Sequence, residues 1–367
     1  MKIFLDATVM QQPATGIAKS TLLLYRECLR QDTSLHVTVV HRQELQCVLT
    51  SNLESVRRGR YFAESAWRKL FLPAFVAVRK PEVLHFPWNG NVPYGLSNTN
   101  VVTTLHDVLP LAIPGYFKSI TGEQAYRRRI QADIDRTDIL LTVSEYSRNE
   151  IINNFQLKTE PVIISHGPTI SCNHAKTRLN VLNKGDYFLY VGGYDPRKGL
   201  NKLIKTFIHL HREQGFTSKL ILTGSKNYFS PEFKQLVFEG VQRGIIEEKG
   251  YISEDELAKL MMNAIALVYP SQFEGFGLPP LEAMALGCPV ITTRGTAIPE
   301  VCGNAAFYIN SDDEHSLADG IVTVMNNKGL RDCLRGEGFK QAAKFTWESA
   351  AHKFLNSLSQ LTPHGSR

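Results

Sequence analysis

Phe273-Glu274-Gly275-Phe276-Gly277-Leu278-Pro279-Pro280-Leu281-Glu282 follows the apolar run 264–269 and precedes Gly287-Cys288-Pro289-Val290-Ile291. The order reads strand, loop, short helix, strand. An unbroken apolar run fits a buried parallel strand. Pro280 suits the first helical position, Gly287 the residue after the helix, and Pro289 cannot continue it. Glu274 is then a loop residue and Glu282 an early helical one. In an open α/β sheet, ligands gather beyond the carboxyl ends of the strands, where a helix N-terminus offers unpaired N–H groups. Gly275 and Gly277 let the backbone approach such a ligand. A carboxylate on each side of the turn accepts hydrogen bonds from sugar hydroxyls, which favours a phosphorylated sugar over a naked anion. Taken alone, each is more simply read as a solvated loop carboxylate and a first-turn Glu complementing the helix dipole.

The same alternation extends in both directions. Strand-like runs fall at 2–6, 36–40, 83–86, 101–105, 139–143 and 162–165, and the pattern restarts at 187–191, 219–223, 247–251, 264–269 and 290–293. Helical periodicity fits 199–213, 231–243, 253–262 and 316–327. Repeated βα alternation predicts parallel sheets wrapped by helices, and the restart predicts two of them. Gly167-Pro168 and the polar stretch 173–184 break the periodicity and place a boundary near 167–184. Only the tail 362–367 reads as disordered.

The 367 residues are 43% hydrophobic and 21% charged, enough for more than one core. No apolar run approaches the ~20 residues of a membrane span, and the opening Met1-Lys-Ile-Phe-Leu-Asp6 carries an acid where a signal peptide stays apolar. The expected location is the cytoplasm. Six cysteines lack metal-ligand spacing and read as reduced and structural. The net charge of +6 is too diffuse for nucleic acid but favours anionic substrates or an anionic membrane surface.

Four further places carry chemistry. Gly16, after the first strand and opening a helix, fits either a phosphate-cradling turn or a plain helix start. His106 ends the strand 101–105; its imidazole suits a sugar hydroxyl or acid–base work, or is a structural strand-end histidine. Gly192-Gly-Tyr-Asp-Pro-Arg197-Lys198-Gly199 lies between strand and helix, where a bidentate fork and a compact charge suit a diphosphate, or are solvated turn cations. In Gly250-Tyr251-Ile-Ser253-Glu-Asp-Glu256, Ser253 and Glu256 form a capping box at a place that also suits the edge of a nucleotide base. Asp133 and Asp135, two apart in a helical stretch, face different sides and are no metal pair. No metal site is expected.

With these residues in hand, the chain from the first strand to about residue 360 resembles a GT-B glycosyltransferase of family 4. The resemblance rests on Glu274 to Glu282 with Ala285-Leu-Gly-Cys-Pro-Val-Ile291, on Ile298-Pro-Glu-Val301 and on Arg197-Lys198-Gly199. It also rests on Thr104-Leu-His-Asp-Val-Leu-Pro110 and Thr142-Val-Ser-Glu-Tyr-Ser-Arg148. It implies two Rossmann-like domains facing across a cleft, residues 1–168 on the acceptor side and 169–345 binding the nucleotide sugar, with a C-terminal helix in 346–367 crossing back. It further implies that Arg197 and Lys198 grip the diphosphate and that Glu282 holds the ribose. Glu274 and the backbone of Phe276, Gly277 and Leu278 would hold the sugar. By the same resemblance His106 lies against that sugar, Gly16 closes near the phosphates, and Tyr251 and Ser253 edge the base. Retained anomeric configuration, no metal and no cofactor complete the implication. Two positions depart from many relatives: Gly193 stands where they place an arginine, and Thr15-Gly16 replaces a glycine pair.

The proline-arginine-lysine form and the Leu105–Pro110 stretch resemble mannosyl-transferring relatives, so GDP-mannose is the expected donor and a UDP-sugar the alternative. Residues 56–80 mix cations with Tyr61, Phe62, Trp67, Phe71 and Phe75. They read either as a helix at an anionic membrane interface or as a surface helix with its aromatics turned inward. The interfacial reading implies peripheral association with the cytoplasmic face of the inner membrane, a polyprenyl-diphosphate-linked acceptor, and surface polysaccharide assembly (O-antigen, capsule or exopolysaccharide). The competing classes are a sugar-nucleotide epimerase and a non-catalytic nucleotide-sugar-binding protein. A dehydrogenase is disfavoured because no G-x-G-x-x-G follows the first strand.

Overall fold

The computed structural model describes residues 1–11, 16–41, 44–45, 53–57, 63–89, 92–96, 98–170, 185–311 and 313–361. The segment 171–184, the tail 362–367, Thr15, Tyr61, Phe62, Cys47 and Cys172 lie outside them. Contacts divide the chain into two units, Met1–Thr169 with Thr346–Arg367, and Ile170–Phe345.

Among the described residues the first unit holds seven parallel strands: β1 (Lys2–Asp6), β2 (His36–His41), β3 (Glu54–Arg57), β4 (Val83–Phe86), β5 (Asn100–Thr104), β6 (Ile139–Thr142) and β7 (Val162–Ile163). Their order is β3-β2-β1-β4-β5-β6-β7. The second holds six: β8 (Tyr187–Val191), β9 (Lys219–Thr223), β10 (Ile246–Gly250), β11 (Leu267–Tyr269), β12 (Val290–Thr293) and β13 (Phe307–Ile309), in the order β10-β9-β8-β11-β12-β13. All pairings are parallel. Each sheet therefore reverses its winding at one place, between β1 and β4 and between β8 and β11, as in a Rossmann-like doubly wound fold.

β4, β5, β11 and β12 are buried along their whole length, and their few polar members are paired, as His85 with Thr104 and Tyr25 and Thr292 with the Tyr269 carbonyl. The helix Leu200–Glu213 buries Leu200, Leu203, Ile204, Phe207 and Leu210 on one face, and Phe207 meets Phe188 and Phe216 edge-on. Each such side chain contributes about 1.5–3 kcal/mol when removed from water. Helix starts are written locally: Ser119, Ser144, Ser230, Ser253, Asn327 and Thr346 each accept a hydrogen bond from a first-turn N–H. The last of these opens the helix Trp347–Leu358, whose Ala351, Phe354 and Leu358 join the core of the first unit, with Phe354 edge-on to Tyr25 at 5.6 Å.

Some sequence expectations need correcting. Pro280 is not the first helical residue: the helix spans Leu278–Ala285 with Gly277 at its N-cap, so the turn is two residues tighter. The segment 56–80 is not one helix. Val56 and Arg57 end β3, and helix runs through Glu64–Ala66, Trp67–Phe71 and Leu72–Arg79. Trp67 and Arg68 are buried and Phe75 stacks on Phe4 at 5.5 Å, so these aromatics face inward. Leu70, Phe71 and Val78 remain exposed. The short edge strands β3 and β13 and the helix Lys328–Ala342 had no clear sequence signal.

Candidate active site

β8 and β11 are the strands at which the second sheet reverses, and the two most suggestive motifs leave their carboxyl ends. After β8 the chain turns through a short 3-10 helix, Pro196–Lys198, capped by Asp195, whose carboxylate accepts from the Arg197 N–H at 3.0 Å. Gly199 closes the turn at φ +68°, and a Cβ there would lie 2.4 Å from the Pro270 carbonyl oxygen. No side chain fits that approach. Gln272 N–H donates to the Arg197 carbonyl at 3.0 Å and ties the turn to the segment after β11. A Gly199→Ala variant should lose about 2–4 kcal/mol, from the left-handed backbone and the backbone clash together. In a domain of this size that lowers its unfolding temperature by roughly 5–15 °C. A calorimetric scan within 1–2 °C of wild type would contradict the geometry.

The two cations converge on Glu274. Its Oε1 lies 3.3 Å from Arg197 Nη1 and 3.9 Å from Lys198 Nζ. The same oxygen accepts from the Tyr269 hydroxyl at 2.7 Å and from Ser271 at 2.8 Å. Arg197 Nη1 also donates to the Phe273 carbonyl. Burial would raise the Glu274 carboxyl, but Lys198, Arg197 and the two hydroxyls outweigh it and hold it below the usual carboxylate value. Burial and the neighbouring Glu274 push Tyr269 far up, so its hydroxyl keeps the proton it donates. All four groups meet Oε1, which leaves Oε2 without a hydrogen bond among the described residues. The Glu274 N–H donates to Thr296 Oγ1 at 2.8 Å and fixes the loop. Tyr269, Ser271, Thr296 and Asp195 escaped the sequence reading, since no local pattern marks them as parts of a site.

Gly277, at φ +119°, turns the chain into the helix Leu278–Ala285 with no side-chain cap; Pro279 and Pro280 carry no N–H and the Leu281 N–H donates to the Gly277 carbonyl at 3.2 Å, so the first turn has the single N–H of Leu278 to offer a ligand or water. Phe276 is buried and packs edge-on to Phe345 at 5.9 Å. Glu282 is buried on that helix. Ser253 caps its own helix, accepting from Glu256 N–H at 3.2 Å, while Tyr251 is exposed beyond β10. The structure thus brings Arg197, Lys198 and Glu274 into contact, with Phe276, Gly277, Leu278 and Glu282 on the adjoining turn and helix.

In the first unit, Gly16 opens the helix Gly16–Gln31. His106 is buried two residues past β5; its Nε2 lies 3.0 Å from the Pro87 carbonyl, and its N–H donates to Asn89. A carbonyl only accepts, so Nε2 carries the proton and Nδ1 is left as an acceptor. Burial lowers His106 to about 4, and burial with the neighbouring His106 lowers His85 to about 3. His166, 5.5 Å from His106, is also held well below its ordinary value by burial and then by His106. The unfolded chain takes up these protons near pH 6.5 and the folded one only far lower, so the stability is present above 6.5 and lost as pH falls toward 4. Each histidine contributes a slope of about 1.4 kcal/mol per pH unit in that window. Unfolding temperature should fall steeply between pH 6.5 and 4.5, and a flat profile would overturn the assignment. At the carboxyl end of β1, unnoticed in the sequence, Asp6 accepts from Thr8, from buried Arg68 at 3.3 Å and from Trp88 Nε1 at 3.3 Å.

Residues 174–341 match the model of the glycosyl transferases group 1. The chain thus carries a group 1 glycosyltransferase domain and has the GT-B fold. Among its relatives, the O-antigen chain mannosyltransferase B of Escherichia coli is 27% identical over 98% of this chain and 100% of its own. The O-antigen chain mannosyltransferase RfbU of Salmonella typhimurium is 28% identical over 61% of each chain. The sucrose-phosphate synthase of Thermosynechococcus elongatus superposes with a TM-score of 0.74 at 20% identity, over 98% of both chains.

Proposed function

We propose that this glycosyltransferase moves mannose from GDP-mannose to a glycan acceptor during surface polysaccharide assembly, with retention at the anomeric carbon. The observation that carries the donor side is the meeting of Arg197, Lys198 and Glu274 at the reversal of the second sheet. The choice of mannose is supported by the two O-antigen mannosyltransferases named above, one of which aligns along its whole length. In this reading the diphosphate lies against Arg197, Lys198 and the single N–H of Leu278, and Glu282 holds the ribose. Cleavage at the anomeric carbon leaves negative charge on the diphosphate, and cations already fixed in place stabilise it as it develops. Those cations carry the charge, and no metal or cofactor is needed. Glu274 Oε2 accepts a hydroxyl of the transferred sugar. His106 offers its Nδ1 as an acceptor and acts as a positioning group.

A lipid-linked acceptor fits the exposed Leu70, Phe71 and Val78, which neighbour Lys69, Arg79 and Lys80 and suit an anionic bilayer surface. No described helix is long and apolar enough to cross a membrane. Co-sedimentation with anionic vesicles that survives Leu70→Ser with Val78→Ser would remove this part of the reading. The donor is tested by thermal shift with GDP, GDP-mannose, UDP, ADP and UDP-sugars, because a ligand of the folded state raises stability by mass action. Stabilisation by GDP and GDP-mannose is expected. A response to uridine nucleotides alone would overturn the donor, and silence with every nucleotide would favour a non-catalytic protein.

A further inference from the structure

A cavity of about 210 Å³ opens at the head of the helix Leu200–Glu213, lined by Asn201, Lys202, Phe229, Gln272, Asn310 and Asp313 among others. None of Arg197, Lys198, Glu274 or Glu282 lines it. It shares with the donor turn only the backs of that turn: Pro196 and Gly199 on one side, Pro270 and Gln272 on the other.

Its chemistry narrows the occupant. Phe229 stacks on buried Phe233 with ring centroids 4.2 Å apart and planes 18° from parallel, so the ring is held rigid, yet it stays 39% exposed. Such a ring takes the C–H face of a pyranose. The Asn201 side chain makes no hydrogen bond to a described residue and brings both a donor and an acceptor. The two charges are opposite and engaged: Lys202 Nζ donates to the Ser311 carbonyl at 2.7 Å, and Asp313 accepts from His315 N–H at 2.9 Å. A site with balanced charge does not select an anion, which argues against a nucleotide or a phosphate. The wall sets Phe229, Pro270, Ile309 and Leu317 beside Asn201 and Gln272, a mixture that suits the C–H faces and hydroxyls of a sugar better than an acyl chain. The volume lies below the ~300–1,000 Å³ of sites for drug-sized ligands and suits a single sugar ring.

We propose that this cavity binds one neutral pyranose, as a second sugar site apart from the donor site. That the pyranose belongs to the glycan under assembly rests on the function proposed above. Because the Gln272 N–H holds the Arg197 carbonyl at 3.0 Å, a sugar in the cavity braces the turn that carries Arg197 and Lys198 and couples glycan binding to donor binding.

The test is saturation-transfer NMR on the full chain with mannose, glucose and mannotriose, beside thermal shift with GDP. Transfer to a hexose is expected in the wild type, roughly three- to tenfold weaker in Phe229→Ala, and recovered in Phe229→Tyr, from the size of an aromatic contact. Asn201→Ala weakens it as well, and the GDP response stays unchanged in all three variants. A stronger signal with mannotriose assigns the cavity to the glycan chain; equal signals assign it to the free monosaccharide, and both support a pyranose site. Transfer that survives in Phe229→Ala and Asn201→Ala, or is lost in Glu274→Gln alone, places the sugar elsewhere and overturns the proposal. No hexose signal beside a normal GDP response also overturns it. A hexose signal without a GDP response leaves the cavity standing and sinks the donor assignment.

Discussion

Arg197→Ala is expected to lower turnover about 10²–10³-fold, the loss seen when one preorganised donor to a developing oxyanion is removed. The side chain stands at the end of β8, where Asp195 caps the turn through the Arg197 backbone N–H, so the turn survives without the guanidinium. Lys198 remains within 3.9 Å of Glu274 and keeps the carboxylate compensated. Stability should therefore change little, while GDP binding weakens with the lost cation and kcat falls further, because the guanidinium meets most charge in the transition state. Arg197 is the one arginine in the turn 192–199, which concentrates the guanidinium contribution there. Arg197→Lys should recover only part of the rate, because a point charge replaces a fork. A fall of less than tenfold in Arg197→Ala would sink the assignment.

Glu274→Gln should separate two roles that geometry places on one carboxyl group. The amide oxygen still accepts from the Tyr269 and Ser271 hydroxyls, so the loop keeps its shape. What disappears is the charge that opposes Arg197 and Lys198. GDP should then bind as tightly as before, or more tightly, because the diphosphate meets a more positive turn. Turnover should fall by about 10²-fold, because the second oxygen no longer presents an anionic acceptor to the sugar. Weaker GDP binding with unaltered turnover would show that Glu274 serves only to hold the cations, and the sugar-binding role would be withdrawn.

The sequence located the residues of this site far better than it described their relations. Arg197 and Lys198 were legible because a glycine-rich turn after an apolar run is a local signal, and Glu274 and Glu282 because proline and glycine frame the short helix. Their contact was not legible. Arg197 meets Glu274 because β8 and β11 are neighbours, although β9 and β10 lie between them in the chain. The hydroxyls of Tyr269 and Ser271 became part of the site for the same reason. The segment 56–80 shows the converse: cations beside aromatics fit a membrane helix and a packed helix equally, and only the burial of Trp67 and Arg68 decided which way these side chains face.

The sequence by itself determined the alternation of strands and helices, the fully buried strands, the serine and threonine caps and the places where the chain must turn. Those features depend on interactions among residues a few positions apart, and backbone geometry enforces them wherever the segment lies. The tertiary structure alone decided which strands stand side by side, which carboxylate oxygen is occupied and which is open, and that a second cavity backs onto the Arg197 turn. These depend on long-range packing, where sheet order brings together groups that no local pattern connects.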